Sequence, residues 1–178
     1  SPTSLEFENV TFLISRHFGF CYGVENAIEI AYKSIDENPG KNIFLLSQMI
    51  HNPNVNQDLL EKGIKFIQDT HGNELIDINT LTNDDVILIP AFGASVEMEK
   101  KLLKIGVNIK KYNTTCPFVE KVWKRSEKLG KSNHSIIIHG KSKHEETRAT
   151  FSRSHQNAPT LIIKDINDAK ILGEIILD

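Results

Sequence analysis

At 178 residues the chain has room for one ordinary domain or two small ones. Its hydrophobic fraction of 39%, charged fraction of 25% and net charge of -2 are ordinary for a globular protein. They argue against nucleic-acid binding, which needs a concentrated basic face. The apolar runs VTFLIS, VILIPAF and SIIIHG are too short to span a bilayer, and the opening SPTSLEFEN lacks the apolar core of a signal peptide.

Strand-like and helical stretches alternate along the chain. VTFLIS (residues 10–15) reads as a strand, and VENAIEIAYKSI (24–35) follows with apolar residues at helical spacing. NIFLLS precedes the helical NVNQDLLEKG, where Gly63 is the expected C-cap. DVILIP precedes SVEMEKKLLKIG, closed by Gly106. NIKKYN reads as a strand before PFVEKVWKRSEKLG, closed by Gly130. HSIIIHG precedes HEETRATFSRS, and TLIIKD precedes a last helical pattern. This alternation predicts an α/β fold of two small domains, residues 1–112 and 113–178, with mainly parallel sheets flanked by helices.

The chemically interesting residues all fall in strand-to-helix loops. Cys21 follows the first strand and His51 the second. Gly93 lies in PAFGAS, Cys116 in NTTCPF, and His144 and Glu146 in GKSKHEET. In parallel α/β sheets such loops gather at the carboxyl ends of the strands, where ligands bind. The intervals from Cys21 to His51 and from Cys116 to His144 are nearly equal, and each holds a helix and then a strand. That is a weak internal repeat whose second copy is shorter than its first.

Cys21 and Cys116 are the only two cysteines, which points to a reducing, cytoplasmic setting. Pro117 suits the first position of a helix, which puts Cys116 at the N-cap, and Cys21 precedes its helix in the same way. A helix N-terminus favours a thiolate, the form that binds metal. The plainer reading of each is a small buried hydrophobe. His51 and His144, taken singly, read as caps or satisfied surface histidines rather than as ligands. Glu145 and Glu146 in a first helical turn could simply complement the helix dipole. His17, His134 and His139 read as structural, Trp123 as core, and EMEKKLLK as a solvated face.

Taken together, HFGFCYGVENAIEIA, IHNPNVNQDL, ILIPAFGAS, NTTCPFVEKVW and HGKSKHEETRATFS resemble the LytB-type hydroxymethylbutenyl diphosphate reductases. PAFGA and HEET resemble the branch found in cyanobacteria and plastids. The resemblance covers almost the whole chain, in order. It implies a pseudo-threefold architecture of three α/β domains, each giving one cysteine to a central [4Fe-4S] cluster. Cys21 and Cys116 match the first two cysteines, His51 and His144 the histidines that hold the diphosphate, and Glu146 the acid that supplies a proton. A further family histidine is Phe92 here. The third cysteine and third domain have no counterpart in this sequence, so the resemblance implies a segment inactive on its own. The implied reaction is reduction of 4-hydroxy-3-methylbut-2-enyl diphosphate to isopentenyl and dimethylallyl diphosphate. Electrons would come from ferredoxin or flavodoxin, in the cytoplasm or the plastid stroma. Two other readings stand beside it: an anion-binding module without a cluster, and a two-cysteine, two-histidine zinc site, which the long cysteine-to-histidine gaps disfavour.

Overall fold

A computed structural model describes residues 2–177. Its centre is a parallel sheet in the order β4-β3-β5, made by β3 (Ile43–Leu45), β4 (Lys65–Phe66) and β5 (Val86–Leu88). Strands buried on both faces must be apolar throughout rather than alternating, and β3 and β5 meet that demand, while the edge strand β4 carries an exposed Lys65. Ile43 and Leu45 point into a core with Val86, Leu88, Ala27 and Ala31 of α1 (Tyr22–Glu37) and Leu59 of α2 (Pro53–Glu61). Phe44 and Leu46 point the other way, against Ile87, Ile89, Val107 and Leu102 of α3 (Val96–Ile105). The sheet is therefore covered on both sides, and Leu45, Leu88 and Leu59 are wholly buried.

A second, two-stranded parallel sheet pairs β6 (Ile136–His139) with β7 (Thr160–Ile163). Around it lie α4 (Pro117–Lys131), α5 (Glu145–His155) and α6 (Ile166–Leu177). Among the described residues of α6 none is buried. Helix α5 packs on α4, where the Ser126 hydroxyl donates to Ser154 Oγ at 2.6 Å in a buried contact. The same helix is tied to the first unit along its length. Ser152 Oγ accepts from the Val96 backbone N–H at 2.8 Å and donates to Glu97 at 2.7 Å, and Arg153 pairs with Glu99.

Three expectations change. Val10–Ile14 does not join the parallel sheet. It is β2 of an exposed antiparallel hairpin with β1 (Thr3–Phe7), whose TSLEF stretch the apolar pattern did not mark. The Phe7 and Phe12 rings meet edge-to-face across it. Residues 108–113 form a turn rather than a strand. The Asn108 side chain accepts from the backbone N–H groups of Lys110 and Lys111, a local bond that competes with a ladder, and only Asn113 makes a bridge, to Ile89. One glycine stop also moves: the C-cap of α4 is Ser132, whereas Gly63 directly follows the α2 cap Lys62 and turns the chain at φ 89° in the left-handed region. Gly130 instead lies inside α4, where a Cβ would stand 2.5 Å from the Asn157 carbonyl oxygen. Gly106 does cap α3, at φ 89° in the left-handed region.

Candidate functional site

Each cysteine is the N-cap of its helix. Cys21 is extended (φ -76°, ψ 162°) and its carbonyl accepts from Val24 and Glu25, both at 3.0 Å. Cys116 is similar (φ -60°, ψ 131°), with Pro117 opening α4. Its N–H donates to the Ala91 carbonyl at 2.9 Å, which anchors it beside the end of β5. Thr114 holds the same edge through its hydroxyl, 2.6 Å from the Ile89 carbonyl. Neither thiol is spent on capping, and both cysteines are free. The starts of α1 and α4 touch: a Cβ built on Gly23 would stand 2.5 Å from Cys116 Sγ. Only glycine leaves room there for the sulfur. Phe18, Phe20, Tyr22 and Phe118, close to the two cysteines in sequence, are exposed aromatic side chains.

His51 sits on the loop between β3 and α2. Asn52, not His51, caps α2, its side chain accepting from Asn54 and Val55. The loop is fixed from beneath by buried Asn56, which accepts from the Met49 N–H at 2.9 Å and donates to the Ile50 carbonyl at 2.8 Å. Met49 in turn accepts from Ala91, so the loops after β3 and β5 run side by side. That contact lays the Phe92 ring against His51, stacked with centroids 4.2 Å apart. Phe92, where the resemblance implies a histidine, is thus an aromatic platform for the His51 ring.

His144 caps α5, with Nδ1 accepting from the Glu146 N–H at 3.3 Å. Nδ1 is thereby occupied as an acceptor, which leaves Nε2–H free to donate. Burial, followed by the nearby His51, lowers the His144 pKa below the ordinary histidine value. The imidazoles of His51 and His144 lie 5.0 Å apart, and the donor atoms of His51, His144 and Glu146 all fall within 4.8 Å of one another. His51 and Glu146 are exposed. Glu146 and His144 border an open cleft of about 640 Å³, whose apolar side is formed by Phe118, Val122 and Ile138. The three side chains offer imidazole N–H donors and a carboxyl group to one small ligand at a helix N-terminus, which suits an anion such as a phosphate.

Two residues of this region, Glu145 expected to complement the helix dipole and Trp123 expected in the core, are placed otherwise by the fold. Glu145 faces inward, its side chain almost wholly buried at 6% exposure, and accepts from the Ser47 hydroxyl. Burial pushes its pKa up to about 7. The one available signal was the Glu145–Glu146 doublet itself, since neighbours on a helix are turned about 100° apart and both cannot face solvent equally. Trp123, expected in the core, is half-buried. Its ring carries the Arg153 guanidinium at 4.7 Å and its N–H donates to Thr150 at 3.2 Å.

The model of the family described as LytB protein matches residues 12–175. The chain belongs to the LytB family. It is 41% identical over 174 residues to a 4-hydroxy-3-methylbut-2-enyl diphosphate reductase of Nostoc, covering 98% of this chain and 42% of that protein. Reductases of the same name from Prochlorococcus marinus and Synechocystis are 42% and 41% identical, with 39% and 44% of their lengths covered. The chain thus spans about two fifths of the length of these curated relatives. Two solved structures share its fold. One is described as (E)-4-hydroxy-3-methyl-but-2-enyl diphosphate reductase, the terminal enzyme of the non-mevalonate pathway (TM-score 0.71, 26% identity, 92% of this chain and 53% of that one). The other is the reductase from Plasmodium falciparum (TM-score 0.72, 25% identity, 87% and 45%). Among the described residues no helix is long and apolar enough to cross a membrane.

Proposed function

We propose that this chain supplies part of the active site of a 4-hydroxy-3-methylbut-2-enyl diphosphate reductase: two cluster thiolates, two diphosphate-binding histidines and the proton-donating acid. The observation that carries this reading is the meeting of His51, on the loop after β3, with His144 and Glu146 at the start of α5, their ligand atoms all within 4.8 Å of one another. The division into units 1–112 and 113–178 belongs to the same proposal. It is supported by the separate sheets on either side of it.

The cysteines fit the cluster. Cys21 and Cys116 are free, extended N-caps with uncommitted sulfurs, and Gly23 leaves the space that Cys116 Sγ occupies. A bound [4Fe-4S] cluster would supply electrons and a Lewis-acidic iron with an open position. Cys21 and Cys116 would provide two of its thiolate ligands.

The remaining work falls to the chain's own groups. His51 and His144 grip the diphosphate through imidazole N–H donors, assisted by the start of α5. Glu146 holds a proton at its carboxyl, beside the diphosphate grip, and gives it to the allylic hydroxyl oxygen as that oxygen departs as water. The overall balance is one C–O bond broken, two electrons consumed, one proton to the leaving oxygen and one to the allylic skeleton. Reduced ferredoxin or flavodoxin is the proposed donor, in a cytoplasm or plastid stroma.

The test is a chimera in which this chain replaces the matching segment of a cyanobacterial relative. Purified without oxygen, it should bind iron and sulfide in equal amounts and show a four-iron spectrum, which Cys21→Ser or Cys116→Ser should abolish or degrade. Zinc in place of iron would support the zinc alternative. Pyrophosphate binding with no iron would support a simple anion-binding module.

A further inference from the structure

The inward-facing Glu145 is not used by the chemistry proposed above, yet it lies between two residues that are. His144 precedes it and Glu146 follows it. Its Oε2 accepts from Ser47 Oγ, and Ser47 is itself 1% exposed. Among the described residues its Oε1 has no hydrogen-bond partner, nor does the nearby buried Arg148 Nε. The cavity beside these groups, lined by Ser47, Gln68, Gly93, Ser95 and Arg148, measures only about 30 Å³. That is room for roughly one water, so the pocket is no ligand site.

What the contact joins matters more than what surrounds it. Ser47 follows β3 on the segment that continues through Met49 and Ile50, pinned by Asn56, to His51. Glu145 opens the helix that His144 caps. The bond therefore fastens the loop bearing His51 to the helix start bearing His144 and Glu146. Its partners stand 98 positions apart in the chain. A buried carboxyl is costly to place, and the Ser47 hydroxyl is the partner that offsets part of that cost here. The more distant ties of α5 to α3, through Ser152 and Arg153, fix the body of the helix but not its first turn.

We propose that Glu145 is a positioning residue, whose bond to Ser47 sets His144 and Glu146 against His51. The proposal rests on reading that trio as the diphosphate grip. Reactions and binding events that depend on convergent donors lose heavily when a group is displaced by about 1 Å.

The experiment uses the 178-residue chain with inorganic pyrophosphate as the probe and histidine-ring NMR as a second readout. In the wild type, His51 and His144 should show a ring-to-ring cross-peak, as their 5.0 Å separation requires. Ser47→Ala and Glu145→Ala should each lose that cross-peak and weaken pyrophosphate binding by ~10-fold. Glu145→Gln keeps an oxygen that accepts from Ser47, so it should retain the cross-peak and bind within ~3-fold of wild type. The double variant should be no weaker than Glu145→Ala alone, because the two side chains act through one bond. Wild-type affinity and an intact cross-peak in both alanine variants would overturn the proposal, as would additive losses. Should Glu145→Ala fail to fold, Ser47→Ala decides alone, since it removes only a hydroxyl. Should the wild type ignore pyrophosphate, the anion reading fails while the cross-peak still decides the positioning role.

Discussion

The two parallel sheets are made by the same succession of strand, loop and helix, but they are buried very differently. In the first, β3 has helices on both faces, and its leucines are sealed from solvent. In the second, every other residue of β6 is exposed, and Ile166, Ile171, Ile175 and Ile176 of α6 all stand more than half in water. The difference shows where rigidity comes from. His144 and Glu146 belong to the less covered unit, yet their helix is fastened to the better one at Ser47, Val96, Glu97 and Glu99. The site lies at the seam, where the second unit borrows order from the first.

The largest effect is expected in the core of the first unit. Leu45→Ala should cost ~3–5 kcal/mol of stability in denaturant unfolding, the price of a wholly buried leucine in a two-sided sheet. A loss below ~1 kcal/mol would mean that the first unit is not the rigid partner.

The seam itself can be probed through pH. The folded-state pKa of Glu145 is raised to about 7, so folding binds a proton that the unfolded chain has released. Its contribution is thus unfavourable above that pKa, and stability is recovered as pH falls from about 7 to the ordinary carboxyl value near 4.5. Glu145→Gln removes this dependence. Relative to wild type it should gain roughly 2 kcal/mol between pH 5 and pH 8. Parallel stability curves for the two proteins would show that Glu145 is not buried as a neutral acid.

Gly23 sharpens the contact between the two cysteine-bearing helix starts. Gly23→Ala drives a methyl into Cys116 Sγ and should cost ~1–3 kcal/mol, while exposing Cys116 to faster reaction with a thiol reagent. Unchanged stability and reactivity would separate the two starts. The smallest effect belongs to α6. Ile171→Ala, at a residue 56% exposed, should shift stability by less than ~0.5 kcal/mol.

Much of this was legible in the sequence because it is punctuated. Pro117, Ser95 and the glycine-flanked Cys21 mark helix starts, and the continuous apolar runs 43–45 and 86–88 mark doubly covered parallel strands. Those signals put His51, His144 and Glu146 between a parallel strand and its helix, whereas Cys21 follows the exposed hairpin and Cys116 follows a turn, so for the cysteines only the helix starts were legible. The hairpin was hidden because Val10–Ile14 has the composition of a buried strand but is exposed, paired only with Thr3–Phe7. The Ser47–Glu145 bond was illegible for a different reason. No local period links residues so far apart, and a glutamate in a first turn reads as a dipole partner until the fold turns it inward. Trp123 shows the same limit: helical spacing marks it as core, but Arg153 covers one of its faces instead of another apolar side chain.

The central claim is that Glu146 delivers a proton to a substrate held by His51 and His144. It is tested most directly by Glu146→Gln in the chimeric reductase, measuring turnover and substrate affinity together under strictly anaerobic conditions. The amide keeps the shape of the acid but carries no transferable proton. Turnover should fall by ~10²–10⁴-fold while affinity for the diphosphate substrate stays within ~3-fold. Near-wild-type turnover would remove Glu146 from the proton path and contradict the account.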